Sequence, residues 1–321
     1  MAKPVLATPR ILPAAMAAML RATYEVREPS APDDATPQGF ARLADGAAAI
    51  FVTAFDDVDA AFVEALPRSV RFIASIGVGV DHIDLGAARA RGLVVSNTPD
   101  VTTPCLADAT MGLIIAALRR FREGLDVART GEGRGMLTPE SWGVRVSGKT
   151  LGVVGMGNVG RAVARRARAF DMAVLYATPR PSAEIDRAFD ARAVSLDVLL
   201  AESDVVSLHC PLKDETHHLI DGAAIDKMKF GATLVNIARG PLVDEAALVA
   251  ALASGRLFAA GLDVYETEPG PIREALRSSP NVFCLPHVAS ATRESRAAMA
   301  MRTLANIDAF FATGAPLDRV A

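Results

Sequence analysis

"LGVVGMGNVG", residues 151–160, decides the fold class of this chain. A run of small and apolar residues enters Gly155, Gly157 and Gly160, spaced G-x-G-x-x-G, and a helical pattern, "RAVARRARA", follows. A strand that ends on such a turn and feeds a helix aims the amides of Asn158 and Val159 at one point, where the helix macrodipole favours an anion. In that context Gly155 permits the tight turn, Gly157 lets a pyrophosphate approach the backbone, and Gly160 lets helix and strand pack closely.

Working outward, short apolar runs alternate with helical patterns in both directions. Before the turn, strands are predicted at 4–7, 48–52, 71–76 and 92–96, with helices at 13–22, 58–66 and 84–91. "SNTPDVTTP", residues 96–104, breaks the pattern ahead of a long helix over 105–122, striped by Leu106, Ala109, Leu113, Ala116 and Ala117. Residues 129–148, with five glycines and the only tryptophan, read as a long loop. From 150 on, strands are predicted near 150–154, 173–176, 205–209, 232–236, 258–262 and 282–285, and helices at 158–169, 195–201, 222–228, 244–254 and 292–312. The expectation is an α/β protein of two doubly wound, Rossmann-like domains with parallel sheets. One domain, 1–100 with 289–321, is interrupted by a dinucleotide-binding domain at 101–288.

Composition excludes other classes. The chain has 321 residues, 51% apolar and 22% charged, with net charge −3. That is a globular composition without the basic footprint of a nucleic-acid binder or a polybasic membrane arm. The apolar runs are too short to span a bilayer, and prolines break "MAKPVLATPRILP" before a signal-peptide core. A cytoplasmic protein is expected. The three cysteines are scattered, and His209-Cys210 and Cys284 with His287 lack paired ligands at short spacing, so neither a disulfide framework nor a metal site is expected.

Which dinucleotide is bound turns on "AVLYATPRPS", residues 173–182. An acid that holds the adenosine ribose is often found at this strand end. Here the residues are Tyr176, Ala177, Thr178, Pro179 and Arg180; Asp171 comes before the strand, and Glu184 and Asp186 after the turn. Nothing there repels a 2′-phosphate, Thr178 can donate a hydroxyl hydrogen bond, and Arg180 can pair with a phosphate. NADP(H) is expected to be preferred, with NAD(H) possible.

Three polar residues follow later strands: Arg239 in "NIARGPLVDE", Glu268 in "GLDVYETEP" and His287 in "CLPHVASAT". Their chemistry is complementary. An arginine clamps a carboxylate and polarises the carbonyl beside it, a histidine moves a proton near neutral pH, and a carboxylate fixes the imidazole and raises its pKa.

"GMGNVG", "NIARGPLVDEAALVAAL", "GLDVYETEP" and "LPHVASAT", with "GVGVDHIDL" and "GLVVSNTPDV" upstream, resemble the D-isomer-specific 2-hydroxyacid dehydrogenases over nearly the whole chain. The resemblance implies that Arg239 anchors substrate, that His287 is the general acid/base and that Glu268 is its partner. It also implies that Val78 and Gly79 offer amides to the substrate carboxylate, that Asp263 meets the nicotinamide, and that Pro211 and Thr216 line the cofactor groove. A homodimer formed through the helix near 105–122 is implied too, with Trp142 either reaching the partner's site or lying on the surface. Thr178 stands where NAD-dependent members carry Asp, which resembles the glyoxylate/hydroxypyruvate reductase branch. Asn158 replaces an arginine often found in the turn, a loss Arg161 could offset. The expected activity is NADPH-preferring reduction of glyoxylate or hydroxypyruvate to the D-2-hydroxy acid. An arylpyruvate reductase and an NAD(P)H-sensing, corepressor-like binding protein are the alternatives.

Overall fold

The structure, a computed structural model, describes residues 2–131 and 139–321. The chain divides into two compact units, Met1–Thr102 with Arg293–Ala321, and Thr103–Thr292. Among the described residues the first unit holds β1 (Val5–Ala7), β2 (Glu25–Arg27), β3 (Ala49–Val52), β4 (Phe72–Ser75) and β5 (Val94–Ser96), all parallel, in the order β2-β1-β3-β4-β5. The central strands β3 and β4 are buried throughout, as expected of a parallel sheet covered on both faces. The last long helix, Arg293–Thr313, returns to this unit, and its Phe310 stacks on Phe72 of β4 with ring centroids 4.5 Å apart.

The second unit holds β6 (Thr150–Val154), β7 (Ala173–Ala177), β8 (Ala191–Ala193), β9 (Val205–Leu208), β10 (Ala232–Asn236), β11 (Leu257–Leu262) and β12 (Val282–Cys284). All are parallel, in the order β12-β11-β10-β9-β6-β7-β8. The order reverses between β6 and β9. Beyond the C-terminal ends of those strands lies the crevice where open α/β sheets bind ligands.

The structure differs from the expected elements in the edge strands and in the long helix. Strands β2 and β8 were not expected: each has three residues at a sheet edge, where exposure removes the apolar run that marks a strand. The helix expected over 105–122 is two helices, Thr103–Leu118 and Phe121–Thr130. The first ends because the amide of Val144 takes the carbonyl of Leu118 at 2.7 Å, and Arg120 turns left-handed at φ 54°. Of the loop expected at 129–148, residues 132–138 lie outside the described residues; Pro139–Ser141 form a 3-10 turn.

The helix Thr103–Leu118 is buried on most of its circumference, not along one stripe. Its Leu113 lies so close to β11 that a Cβ at Gly261 would meet the Leu113 carbonyl at 3.2 Å. No helix among the described residues is long and apolar enough to cross a membrane.

Candidate active site

The glycine turn sits between two strand ends. The amide of Gly155 donates to the carbonyl of Ala177, at the end of β7, at 2.9 Å. On the other side, a Cβ at Gly155 would fall 2.7 Å from the backbone of His209 and Cys210, just past β9, and φ is 97°. Only glycine satisfies both demands. A Cβ at Gly160 would stand 2.2 Å from the Gly155 carbonyl, so this residue sets the helix–strand approach. A Cβ at Gly157 would meet nothing within 4 Å. Gly157 is the N-cap of the helix Asn158–Ala169, and no side chain caps it. Asn158 is exposed and Val159 half-buried beside it. Arg161, in the first turn, donates from Nε to the Met156 carbonyl at 3.2 Å.

At the end of β7, Thr178 is half-buried and Arg180 exposed. Among the described residues Arg180 has no hydrogen-bond or ion-pair partner. Asp186, the nearest acid downstream in sequence after Glu184, is engaged by the Tyr176 hydroxyl at 2.7 Å. Past β9, Pro211 is exposed and its carbonyl accepts from Thr216 Oγ1 at 2.8 Å; the same hydroxyl accepts from the amide of Lys213 at 2.8 Å. Thr216 thereby closes the loop that Pro211 begins. An uncapped helix N-terminus, a glycine cradle and an acid-free strand end with a spare guanidinium together fit a dinucleotide carrying a 2′-phosphate.

Arg239, Glu268 and His287 follow β10, β11 and β12, at one edge of the sheet. His287 Nδ1 and Glu268 Oε2 are 2.6 Å apart, and Glu268 Oε1 accepts from the amide of Tyr265 at 2.9 Å. The hydrogen bond from Glu268 lifts the His287 pKa above the ordinary value; burial opposes this, Glu268 and Asp263 add to it through charge, and Arg239 subtracts. Arg239 is half-buried, and its Nη1 donates to the Ala238 carbonyl at 2.8 Å. Asn236, the last residue of β10, brackets that turn: its Nδ2 donates to the Arg239 carbonyl at 2.7 Å, and its Oδ1 accepts from the Ala238 amide at 3.0 Å.

Asp263, fully buried, shapes the turn that carries His287. Its carbonyl accepts from the His287 amide, and its two carboxylate oxygens accept from the amides of Val288 and Ala289, each at 2.8 Å. These bonds hold His287 at φ 54°, a left-handed conformation uncommon for residues other than glycine. Burial pushes the Asp263 carboxyl pKa up, and the two amides pull it back.

In the other unit, the loop at 77–80 is pinned from behind. Asn97 Nδ2 donates to the Val78 carbonyl at 2.7 Å, and Thr98 Oγ1 donates to the Ile76 carbonyl at 2.7 Å. The amides of Val78 and Gly79 have no acceptor among the described residues. Trp142 is exposed, as are Phe121 and Leu125 on the helix Phe121–Thr130. Cys105, Cys210 and Cys284 are free, and among the described residues no group of three or more His, Cys, Asp or Glu could hold a metal ion.

Sequence reasoning did not single out Gly240. A Cβ there would fall 1.9 Å from the Tyr265 backbone and 2.4 Å from the Glu266 amide nitrogen. The turn carrying Arg239 and the loop carrying Glu268 therefore touch backbone to backbone. In sequence Gly240 looks only like the partner of a preceding arginine; the contact needs the tertiary fold.

The sequence profile of the "D-isomer specific 2-hydroxyacid dehydrogenase, NAD binding domain" matches residues 111–289. The glyoxylate/hydroxypyruvate reductase B of Erwinia tasmaniensis is 43% identical over 251 residues, 78% of each chain. The crystal structure of a glyoxylate reductase from Paecilomyes thermophila superposes with a TM-score of 0.90 at 36% identity, over 100% of this chain and 99% of that one. An NADPH-dependent glyoxylate/hydroxypyruvate reductase from Sinorhizobium meliloti, solved with NADP and malonate, gives 0.88 at 33% identity, over 100% and 97%. The chain belongs to the D-isomer specific 2-hydroxyacid dehydrogenase family, and is an NAD(P)-dependent oxidoreductase.

The Gly240 contact has a measurable consequence. Gly240→Ala is expected to cost ~1–3 kcal/mol of stability through overpacking. It should also lower kcat/KM by up to ~10²-fold, because it displaces two positioned groups. Denaturant unfolding and steady-state kinetics read the two effects. A variant with full kcat/KM would show that the two loops work independently.

Proposed function

We propose that this enzyme reduces a small 2-ketoacid, glyoxylate or hydroxypyruvate, to the D-2-hydroxy acid, with NADPH preferred over NADH. The observation that carries the reading is the 2.6 Å His287–Glu268 pair at the strand ends that also present Arg239. The names of the relatives above support the substrate class.

In this reading Arg239 takes the substrate carboxylate in a bidentate grip and draws electron density from the adjacent carbonyl. The amides of Val78 and Gly79, unpaired among the described residues of their own unit, are donors suited to a carboxylate. His287, protonated and oriented by Glu268, gives its Nε2 proton to the carbonyl oxygen. The nicotinamide, when bound, supplies the hydride to the carbonyl carbon. Gly155, Gly157, Asn158, Val159 and Gly160 receive the pyrophosphate, Thr178 and Arg180 the 2′-phosphate, and Pro211, Thr216 and Asp263 border the groove. The unit Thr103–Thr292 is the dinucleotide-binding domain and the other unit the substrate domain. The enzyme works in the cytoplasm, where its free thiols stay reduced. It is a homodimer, a state supported by exposed Phe121, Leu125 and Trp142 and readable by sedimentation.

Steady-state reduction of glyoxylate, hydroxypyruvate and phenylpyruvate, each with NADPH and NADH, tests the reading. Fast turnover of either small ketoacid with NADPH is expected. Best turnover of phenylpyruvate would give the arylpyruvate alternative, and NADPH binding without turnover of any would overturn the enzymatic reading. Thr178→Asp is expected to raise the KM for NADPH about tenfold or more, because the new carboxylate repels the phosphate and a charge-assisted bond is worth ~1.5–3 kcal/mol. The KM for NADH should stay constant or fall. Equal effects on both cofactors would remove Thr178 from the phosphate site.

A further inference from the structure

Glu268 projects from the loop at 264–270. Bonds inside that loop fix its shape: Glu268 holds the Tyr265 amide, and the Glu268 amide meets the Tyr265 carbonyl at 3.3 Å. Three contacts place the loop relative to His287: the Tyr265 hydroxyl donates to the Leu285 carbonyl at 2.8 Å, Gly240 packs on the Tyr265 backbone, and a charged cluster that the mechanism does not otherwise use holds the loop from behind.

Glu245 opens the helix Glu245–Ala253, yet the helix does not need it, because Asp244 already accepts the amides of Ala246 and Ala247 as N-cap. The Glu245 side chain is only 3% exposed and spends both oxygens on the loop region. Oε1 accepts from the amide of Glu266 at 2.8 Å, and Oε2 accepts from Nε of Arg273 at 2.7 Å. Arg273 Nη2 reaches Glu266 Oε2 at 3.1 Å, and the other Glu266 oxygen lies 2.5 Å from His218 Nε2. His218 is itself fixed by its amide, which donates to the Pro241 carbonyl at 2.8 Å, beside Gly240. A carboxylate buried this deeply costs several kcal/mol to desolvate, and stability alone is a poor reason to keep one. Both its bonds end within the segment around Glu268.

We propose that Glu245, acting through Arg273 and Glu266, is a positioning residue that holds the 264–270 loop so that Glu268 meets His287. The proposal rests on the reading of Glu268 and His287 as the acid/base pair. Glu245→Gln keeps the shape but turns an amide group toward Arg273 or toward the Glu266 amide, so one of the two anchors is lost. The loop relaxes and the Glu268–His287 bond lengthens.

The imidazole reports this directly. The charged groups facing His287 are Glu268 from its loop, Asp263 at the end of β11 and Arg239 after β10. Only Glu268 is held by the Glu245 cluster, so loosening the cluster must lower the His287 titration midpoint. The experiment is a proton NMR titration of the histidine Cε1–H resonances in the ligand-free protein. The chain has five histidines, and loss of a signal in His287→Asn assigns the right one. Glu268→Gln sets the full effect, ~1–3 pH units for loss of a close opposite charge. Glu245→Gln and Arg273→Met are each expected to give a part of it, about 0.5 unit or more downward. Arg273 is half-exposed, so its variant carries the test if Glu245→Gln fails to fold. Midpoints unchanged from wild type in both variants, with Glu268→Gln shifted, would overturn the proposal and leave the cluster a structural feature. No shift in Glu268→Gln would instead overturn the pairing on which the proposal rests.

Discussion

His287→Asn is expected to lower kcat for 2-ketoacid reduction by ~10³–10⁴-fold, toward the upper range of general acid–base catalysis, while NADPH binds nearly as before. Asparagine keeps a donor near Glu268 but has no proton to give at neutral pH, so the loss falls on the chemical step. The pH profile carries the sign. Reduction uses the protonated imidazole, whose pKa the Glu268 hydrogen bond lifts above the ordinary value. In the wild type kcat/KM for reduction should therefore be flat at low pH and fall about tenfold per pH unit above a midpoint higher than that of a free histidine. Oxidation of the hydroxy acid should show the mirror dependence and rise with pH. In His287→Asn the limb should disappear. A variant that is slow yet keeps the wild-type limb would assign the titrating group elsewhere.

The strands that build the site are the legible ones. β6, β9, β10 and β11 lie inside a parallel sheet, are almost wholly buried and mostly apolar, and the turn after each is punctuated by glycine or a polar residue. β2 and β8 are edge strands with one partner each, so neither has to be apolar throughout. The break after Leu118 is invisible locally, because a segment far along the chain supplies the Val144 amide that ends the helix.

The same division runs through the site. Arg239, Glu268 and His287 stand out because each polar residue follows a buried strand at a turn. Glu245 does not stand out: an acid in the first turn of a helix reads as a solvated partner of the macrodipole. Its burial is decided by the loop at 264–270 landing on it, a contact between segments about twenty residues apart. Asp263 looks like one more polar strand end. Only the folded turn reveals that both its oxygens hold the backbone of Val288 and Ala289.

Arg239→Ala should be the most damaging change after His287→Asn, and it carries its own signature. The guanidinium has five N–H donors, and Nη1 meets the Ala238 carbonyl. Losing a charge-assisted grip on the substrate carboxylate costs ~1.5–3 kcal/mol. Losing polarisation of the reacting carbonyl costs a further ~10²–10³-fold. Together they predict a fall of at least ~10³-fold in kcat/KM, with the Kd for NADPH changed little. Arg239→Lys should recover only part of this, because an ammonium cannot reproduce the planar fork. The proton affinity of His287 separates this role from a general loss of structure. Arg239 depresses the His287 pKa, so its removal should move the pH limb upward even as the rate falls. Changes at Glu245, Arg273 or Glu268 should move the same limb downward. Two slow variants with limbs displaced in opposite directions would show that Arg239 acts on the imidazole as a nearby positive charge and the Glu245 cluster through the negative charge of Glu268. A limb that stays fixed in Arg239→Ala would place its charge too far from the imidazole for the role assigned here.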